Sequence, residues 1–179
     1  MLKIELKTKQ FLYKLFVFLF IIISVINFNG CFSYSFTGAS VPEHLKSIAI
    51  PISEDRSGSG QPGLSEMLTN SLIQKFIDDN TLQVTDKSKA NAILNCSIIS
   101  LTDAPTIITA GEQVAKRRIT VSVQATYRDL VKRKTIFEKN FSEYGDYTSG
   151  GSMNARNDAI QNAVDKISDD ILLDVVSGW

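Results

Sequence analysis

The sequence predicts an α+β fold in which a mixed sheet of about four strands carries two helices packed on one face. Apolar and polar residues alternate strictly over residues 119–128, which is typical of a strand with one buried and one solvated face. Apolar residues recur at helical spacing over residues 64–80 and again over residues 152–176, which indicates two amphipathic helices. Each helix must bury its apolar stripe against another element, so both are expected to cover the same sheet face.

The first 30 residues have the layout of an export signal. Four lysines precede the almost wholly apolar residues 15–26, and this core is shorter than the roughly 20 residues that span a membrane. The core leads to Gly30-Cys31, which resembles the lipobox of bacterial lipoproteins. In a lipobox, the cysteine becomes the lipid-bearing first residue of the mature chain. We predict a signal peptide over residues 1–30, lipidation of Cys31 and an extended tether over residues 31–45.

Two alternatives stand beside that prediction. An apolar stretch extended to residues 11–28 would be an uncleaved membrane anchor, and an ordinary signal peptide would leave Cys31 as a free thiol. The remaining residues, 46–179, are expected to form one domain.

The first half of that domain should contain a strand, a loop and a helix. Residues 46–52 form a short β-branched run that predicts a strand with Ile48, Ile50 and Ile52 on one face. The Gly- and Ser-rich residues 54–63 predict a loop that leads into the first helix. The apolar stripe of that helix comprises Leu64, Leu68, Leu72, Ile73, Phe76 and Ile77, and the side expected to face away comprises Ser65, Glu66, Thr69, Asn70 and Gln74.

The second half should contain most of the sheet. Residues 82–85 are a short strand or a turn, and residues 90–101 are a strand whose buried face comprises Ala92, Leu94, Cys96 and Ile98. The pattern breaks at Asp103, which predicts a loop up to the strand at residues 119–128. That strand and residues 134–141 form an antiparallel hairpin, and the Gly-rich residues 145–151 form a second loop. The stripe of the second helix comprises Ile160, Ala163, Val164, Ile167, Ile171 and Val175.

Composition excludes several classes of function. The chain has 19 basic and 19 acidic side chains, and its first 30 residues hold four lysines and one glutamate, so 15 basic and 18 acidic side chains remain. This acidic balance argues against nucleic-acid binding. Two cysteines and one histidine exclude a disulfide scaffold and the usual His-based metal sites.

No residue pattern indicates catalysis, a cofactor or a metal ion. His44 is predicted to be a surface residue, and Cys96 is predicted to pack in the core because it lies between apolar residues of a strand. The pairs at residues 78–79 and 169–170 lack the spacing of a calcium loop, so both are interpreted as solvated helix faces.

Two basic triplets are the most informative charged positions. Lys116, Arg117 and Arg118 precede the alternating strand, and residues 132–134 lie in the turn that follows it, so the two triplets should lie at opposite ends of the hairpin. One interpretation is that they are solvated edge charges. The other is that the first triplet binds an anionic partner such as a lipid phosphate, and we take Lys116, Arg117 and Arg118 as the candidate ligand-binding residues.

Several segments in order resemble one known family. They are residues 30–42 (GCFSYSFTGASVP), 48–51 (IAIP), 54–58 (EDRSG), 62–64 (PGL), 111–112 (GE), 117–121 (RRITV) and 137–141 (FEKNF). Together they resemble LptE, the lipopolysaccharide-assembly lipoprotein family, over nearly all of residues 31–179.

The resemblance implies a non-enzymatic lipoprotein on the periplasmic side of the outer membrane. It implies that the protein sits within an LptD-like barrel, assists assembly of that barrel, plugs its lumen and contacts lipopolysaccharide. The alternative is a periplasmic lipoprotein domain of another envelope or secretion machine.

Overall fold

A computed structural model describes residues 41–108, 114–150 and 153–177. Its elements, in chain order, are β1 (Ser47–Ala49), β2 (Glu54–Asp55), α1 (Leu64–Asp79), β3 (Gln83–Val84), β4 (Ala92–Ile108), β5 (Val114–Asp129), β6 (Lys134–Thr148) and α2 (Met153–Ser177). This confirms the predicted α+β class and both helices. Within these ranges, no helix is both long enough and apolar enough to cross a membrane.

Within the described residues the sheet has six strands, so the expected number of about four was wrong. Its order is β3-β1-β4-β5-β6, and β2 pairs with β4 further along the edge that β1 occupies. β1 pairs in parallel with both β3 and β4, and β2 pairs in parallel with β4. The long strands β4, β5 and β6 form an antiparallel meander. β2 has only two residues, which is too short for hydrophobic alternation to reveal it, whereas β3 lies within residues 82–85, where the sequence predicted a short strand or a turn.

The three long strands continue beyond their predicted ends. Within the loop expected to open at Asp103, residues 103–108 belong to β4 and residues 114–118 belong to β5, and residues 145–148 belong to β6 rather than to a loop. The register between β4 and β5 shifts near Pro105 and Ile107. Such bulges disturb the alternation of side chains while the backbone stays paired, which explains why the pattern broke where the strand did not.

One hydrophobic core holds both helices against the same face of the sheet, as predicted. Its centre is the buried face of β5, where Ile119, Val121, Val123, Ala125 and Tyr127 are completely buried. The predicted stripe of α2, the residues Leu64, Leu68, Leu72 and Phe76 of α1, and the predicted buried face of β4 all belong to this cluster. α1 ends in a left-handed cap, in which Asn80 has a φ of 56° and its N–H donates to the Phe76 carbonyl oxygen at 3.1 Å.

The two helices run parallel to each other. Ser71 Oγ donates to Asp165 Oδ1 at 2.9 Å, and Lys75 Nζ lies 2.7 Å from Asp169 Oδ1. From the first link to the second, the chain advances by four residues toward the C-terminus in both helices, so the helices run in the same direction and their N-termini lie toward one end of the domain. Asp169 is half exposed, which agrees with its predicted place on a solvated helix face.

Three side chains lie on the opposite side from the one predicted. Ile52 is 76% exposed and Ile77 is 54% exposed, whereas Thr69 is only 5% exposed. Thr69 can be buried because its hydroxyl has backbone partners, the Ser53 N–H at 2.8 Å and the Ser65 carbonyl oxygen at 2.7 Å.

The segment before β1 packs onto the domain. The His44 side chain, predicted to be at the surface, is 26% exposed and is held by Asp129, with Nε2 2.7 Å from Asp129 Oδ2. Leu45 is 3% exposed and belongs to the core. The packed unit therefore begins slightly before residue 46, where the sequence placed the domain start.

Gly145 allows α2 to pack closely on β6. A Cβ atom at this position would lie 2.0 Å from the carbonyl oxygen of Ala159. Beside this contact, Lys166 Nζ donates to the Tyr144 carbonyl oxygen at 2.9 Å. Only glycine permits the helix backbone to come this near the strand.

Gly145→Ala should therefore lower the free energy of unfolding by roughly 1–3 kcal/mol or more, because the added methyl group meets the helix backbone rather than a movable side chain. Urea denaturation measures the change, and Ser142→Ala on the exposed side of β6 is the control. Equal unfolding midpoints for the two variants would contradict the close packing.

Candidate functional site

The two basic triplets lie at opposite ends of the β5–β6 hairpin, as predicted. Arg117 pairs in register with Tyr147 of β6, and Arg118 pairs with Asp146, next to the point where β6 ends. The second triplet, residues 132–134, lies at the turn that joins the two strands. Consecutive residues of a strand point to opposite faces, so Arg117 and Arg118 occupy different environments.

Arg117 lies on the helix side of the sheet, in a network centred on Asp103. Arg117 Nε donates to Asp103 Oδ1 at 2.8 Å and to the Tyr147 hydroxyl at 3.1 Å. Tyr147 in turn donates its hydroxyl proton to Asp103 Oδ2 at 2.7 Å. From α2, Arg156 Nε lies 3.4 Å from the same oxygen, and Arg156 Nη1 donates to Gln61 Oε1 at 2.7 Å.

This network closes one end of the core. It joins β4, β5, β6, the start of α2 and the loop before α1 through the carboxylate of Asp103, which is 22% exposed. Burial tends to raise the pKa of that carboxyl, but hydrogen bonds from Tyr147 and Arg117, the charge of Arg117 and the hydrogen bond from Arg156 outweigh it, so the pKa lies below its usual range. Asp103 is therefore ionised at neutral pH and holds the two arginines.

Arg118 lies on the opposite face, in a cluster around Tyr144. Arg118 makes two parallel hydrogen bonds to Asp146, at 2.7 and 2.8 Å, which help to raise the pKa of the guanidinium. Its Cζ atom is 3.6 Å from the centre of the Tyr144 ring, and Lys166 Nζ is 4.7 Å from that centre. Tyr144 is 41% exposed.

Lys116 completes this exposed group. Its side chain is exposed and makes no ion pair with any residue of the described ranges. The cluster of Lys116, Arg118, Lys166, Tyr144 and Asp146 thus has three cations, one anion and an aromatic ring. Such a surface can contact an anionic group through charge-assisted hydrogen bonds and an apolar group through the ring.

The partners of the triplet could not be identified from the sequence. Asp103 was assigned to a loop, and Tyr144, Asp146 and Tyr147 lay in or beside a predicted Gly-rich loop. The signal that could have located them is the antiparallel register. Had β6 been extended past residue 141, Asp146 would have fallen opposite Arg118.

The residues weighed for catalysis occupy structural positions. Cys96 is 5% exposed on the core face of β4, and burial raises the pKa of its thiol to about 12. His44 binds the buried Asp129, whose carboxylate also accepts the Lys132 N–H at 2.8 Å. Across the described ranges, no three His, Cys, Asp or Glu side chains are grouped so that they could hold a metal ion.

Asp103→Asn should lower the free energy of unfolding at pH 7 by roughly 1–3 kcal/mol, because both arginines lose an anionic partner. A carboxyl with a depressed folded-state pKa stabilises the fold above its unfolded value, near 4, and that contribution disappears as the pH falls through the folded-state value. The difference from wild type should therefore vanish in acid. Urea denaturation between pH 7 and pH 3 measures it, with the exposed Asp86→Asn as control, and a difference that does not depend on pH would contradict the role of Asp103.

Solved structures with this fold include bacterial lipoproteins. Protein XCC0632 from Xanthomonas campestris is 12% identical, with a TM-score of 0.58 over 77% of this chain and 89% of its own. The rare lipoprotein B from Shewanella oneidensis is 14% identical, with a TM-score of 0.52 over 74% of this chain and 96% of its own. Lipoprotein B from Nitrosomonas europaea is 11% identical, with a TM-score of 0.52 over 75% of this chain and 84% of its own. No curated protein sequence matches the chain.

Two parallel helices on one face of a sheet with a long antiparallel hairpin are thus the fold that this chain shares with these solved structures. The sequence model of the lipopolysaccharide-assembly family LptE matches residues 45–175. The chain therefore belongs to the LptE family, as its sequence segments indicated, and its role is in lipopolysaccharide assembly.

Proposed function

We propose that the protein is a non-enzymatic outer-membrane lipoprotein that assists assembly of an LptD-like barrel and plugs its lumen during lipopolysaccharide transport. The observation that carries this proposal is the match of the LptE family to residues 45–175, which spans nearly the whole described domain. The polar side chains of the site support the proposal, because they form hydrogen bonds and ion pairs with one another. Such an arrangement suits contact with a partner rather than catalysis.

The lipid anchor is the first part of the proposal. Cys31 lies outside the described residues, and its assignment rests on the sequence, in which the apolar residues 15–26 lead to Gly30-Cys31. A diacylglycerol and an amide-linked acyl chain on one cysteine give more than one buried chain, and stable anchoring needs two such signals. Phe32 is not the aspartate that retains many lipoproteins at the inner membrane, so the anchor should lie in the outer membrane, facing the periplasm.

Mass spectrometry of the mature N-terminus tests the anchor. We expect the chain to begin at Cys31 and to carry a thioether-linked diacylglycerol and an N-linked acyl chain, and Cys31→Ser should release the protein from the outer-membrane fraction. An unmodified N-terminus or an intact Met1 would contradict the lipid anchor.

The basic triplet is the second part. Arg117 already holds Asp103, and Arg118 holds Asp146, so an incoming phosphate would meet Lys116 directly and would share Arg118 with Asp146. Arg118 retains a partly exposed guanidinium, with 37% of its side chain accessible. We propose that Lys116 and Arg118 contact an anionic group of the glycolipid or of the barrel lumen, and that Arg117 fixes the end of the hairpin that presents them.

The paired variant Arg117→Ala, Arg118→Ala tests the triplet in the full-length protein. We expect glycolipid binding to fall by about tenfold or more, because a charge-assisted hydrogen bond contributes roughly 1.5–3 kcal/mol. Lys132→Ala combined with Lys134→Ala removes two charges at the opposite end of the hairpin and is the matched control.

The same preparations test the partner. A large outer-membrane barrel should co-purify with the wild-type protein, and recovery of a different envelope complex would overturn the proposed function. If the arginine variant folds and retains full glycolipid binding and barrel recovery, the triplet assignment is wrong even though the partner is right.

A further inference from the structure

The edge of the sheet beside β4 contains an interruption that the site above does not involve. Ala49 of β1 pairs with Ile93, and pairing resumes where Glu54 of β2 meets Ser97. Between these points, four residues, 50–53, run beside only three residues of β4, 94–96. One extra residue bulges from the edge, and the parallel ladder is broken there.

A buried threonine sets the direction of this bulge. Ser53 is 3% exposed, and its N–H donates to the hydroxyl of Thr69 on α1 at 2.8 Å, while the two hydroxyl oxygens lie 3.1 Å apart. Neighbouring residues of an extended chain point in opposite directions. Because Ser53 is held inward, Ile52 is turned outward, where 76% of its surface meets solvent.

The bulge lines a groove of about 390 Å³ on the sheet face away from the helices. Its wall comprises Pro51 and Ile52, and its floor comprises the amides and hydroxyls of Asn95, Ser97, Gln124 and Thr126. Cys96 also lines the groove although its side chain is buried, which indicates that β4 backbone is accessible there.

One cation that lines the groove forms no ion pair with any residue that the structure describes. Arg56 is paired with Glu54 at 2.5 Å, and Glu138, beside the groove, accepts a hydrogen bond from Gln124 at 3.0 Å. Arg128 is exposed and forms no ion pair within the described parts of the chain. Its planar guanidinium matches the two oxygens of a carboxylate.

We propose that this groove binds an extended segment of another polypeptide, with an acidic side chain on Arg128 and an apolar side chain against Ile52. The position of the groove favours a peptide, because an extended chain that lies along this sheet face can place one side chain against Ile52 and another on Arg128. A polyphosphorylated ligand fits less well, because the only other cation of the lining is already bound to Glu54. The proposal does not depend on the role in lipopolysaccharide transport.

The probe is a fluorescent, end-capped hexapeptide of alternating valine and aspartate, titrated against the full-length protein in detergent and followed by anisotropy. We expect saturable binding that Arg128→Gln weakens by about tenfold or more, the loss expected for one charge-assisted contact. Lys132→Gln, which removes a charge from the same hairpin outside the groove, should bind like wild type. Ile52→Ser should weaken binding, and so should Thr69→Val, which removes the hydroxyl that turns Ile52 outward.

Three results would overturn the proposal. The first is equal affinity of the Arg128→Gln and Lys132→Gln variants for the probe. The second is equal affinity of wild type for a probe in which asparagine replaces aspartate. The third is full displacement of the probe by an equal concentration of inorganic phosphate, which would identify a simple anion site. Circular dichroism and urea denaturation of each variant confirm that it is folded before binding is compared.

Discussion

Burial of one face of β5 is the constraint on which the other elements depend. β5 pairs with β4 on one side and with β6 on the other along almost its whole length, so its position fixes both neighbours. Its five completely buried side chains alternate with polar residues on the opposite face. β5 has one apolar face, so the elements that shield it from water must all pack on that side of the sheet. Both helices consequently pack there.

The end of that buried face is where apolar packing gives way to polar contacts. Beyond Ile119, the same face continues as Arg117, whose position opposite Tyr147 and beside Asp103 turns the strand end into a hydrogen-bonded network. The next residue, Arg118, points to the other side and remains available at the surface. A one-residue step along β5 therefore separates a side chain that holds the fold from one that can meet a partner.

The sequence predicted the elements whose patterns are local. The alternation over residues 119–128 and the helical stripes of α1 and α2 were found because burial imposes a fixed period on consecutive residues. Thr69 could not be placed, because its burial depends on Ser53, sixteen residues earlier in the chain. Asp103 was missed for a related reason, since a bulge near Pro105 hid the strand and the partners of the carboxylate come from β5, β6 and α2.

The parallel arrangement of α1 and α2 has an electrostatic consequence. Side-by-side helices that point the same way add their dipoles, each equivalent to about half a unit charge at either end, instead of cancelling them. Both positive poles lie at the end that contains Gln61 and Arg156, near the ionised carboxylate of Asp103. Both negative poles lie toward the β5–β6 turn, the end at which α2 is joined to β6 by the ion pair of Lys139 and Asp174. The cations at residues 132–134 thus lie in the turn toward which the negative poles of both helices point.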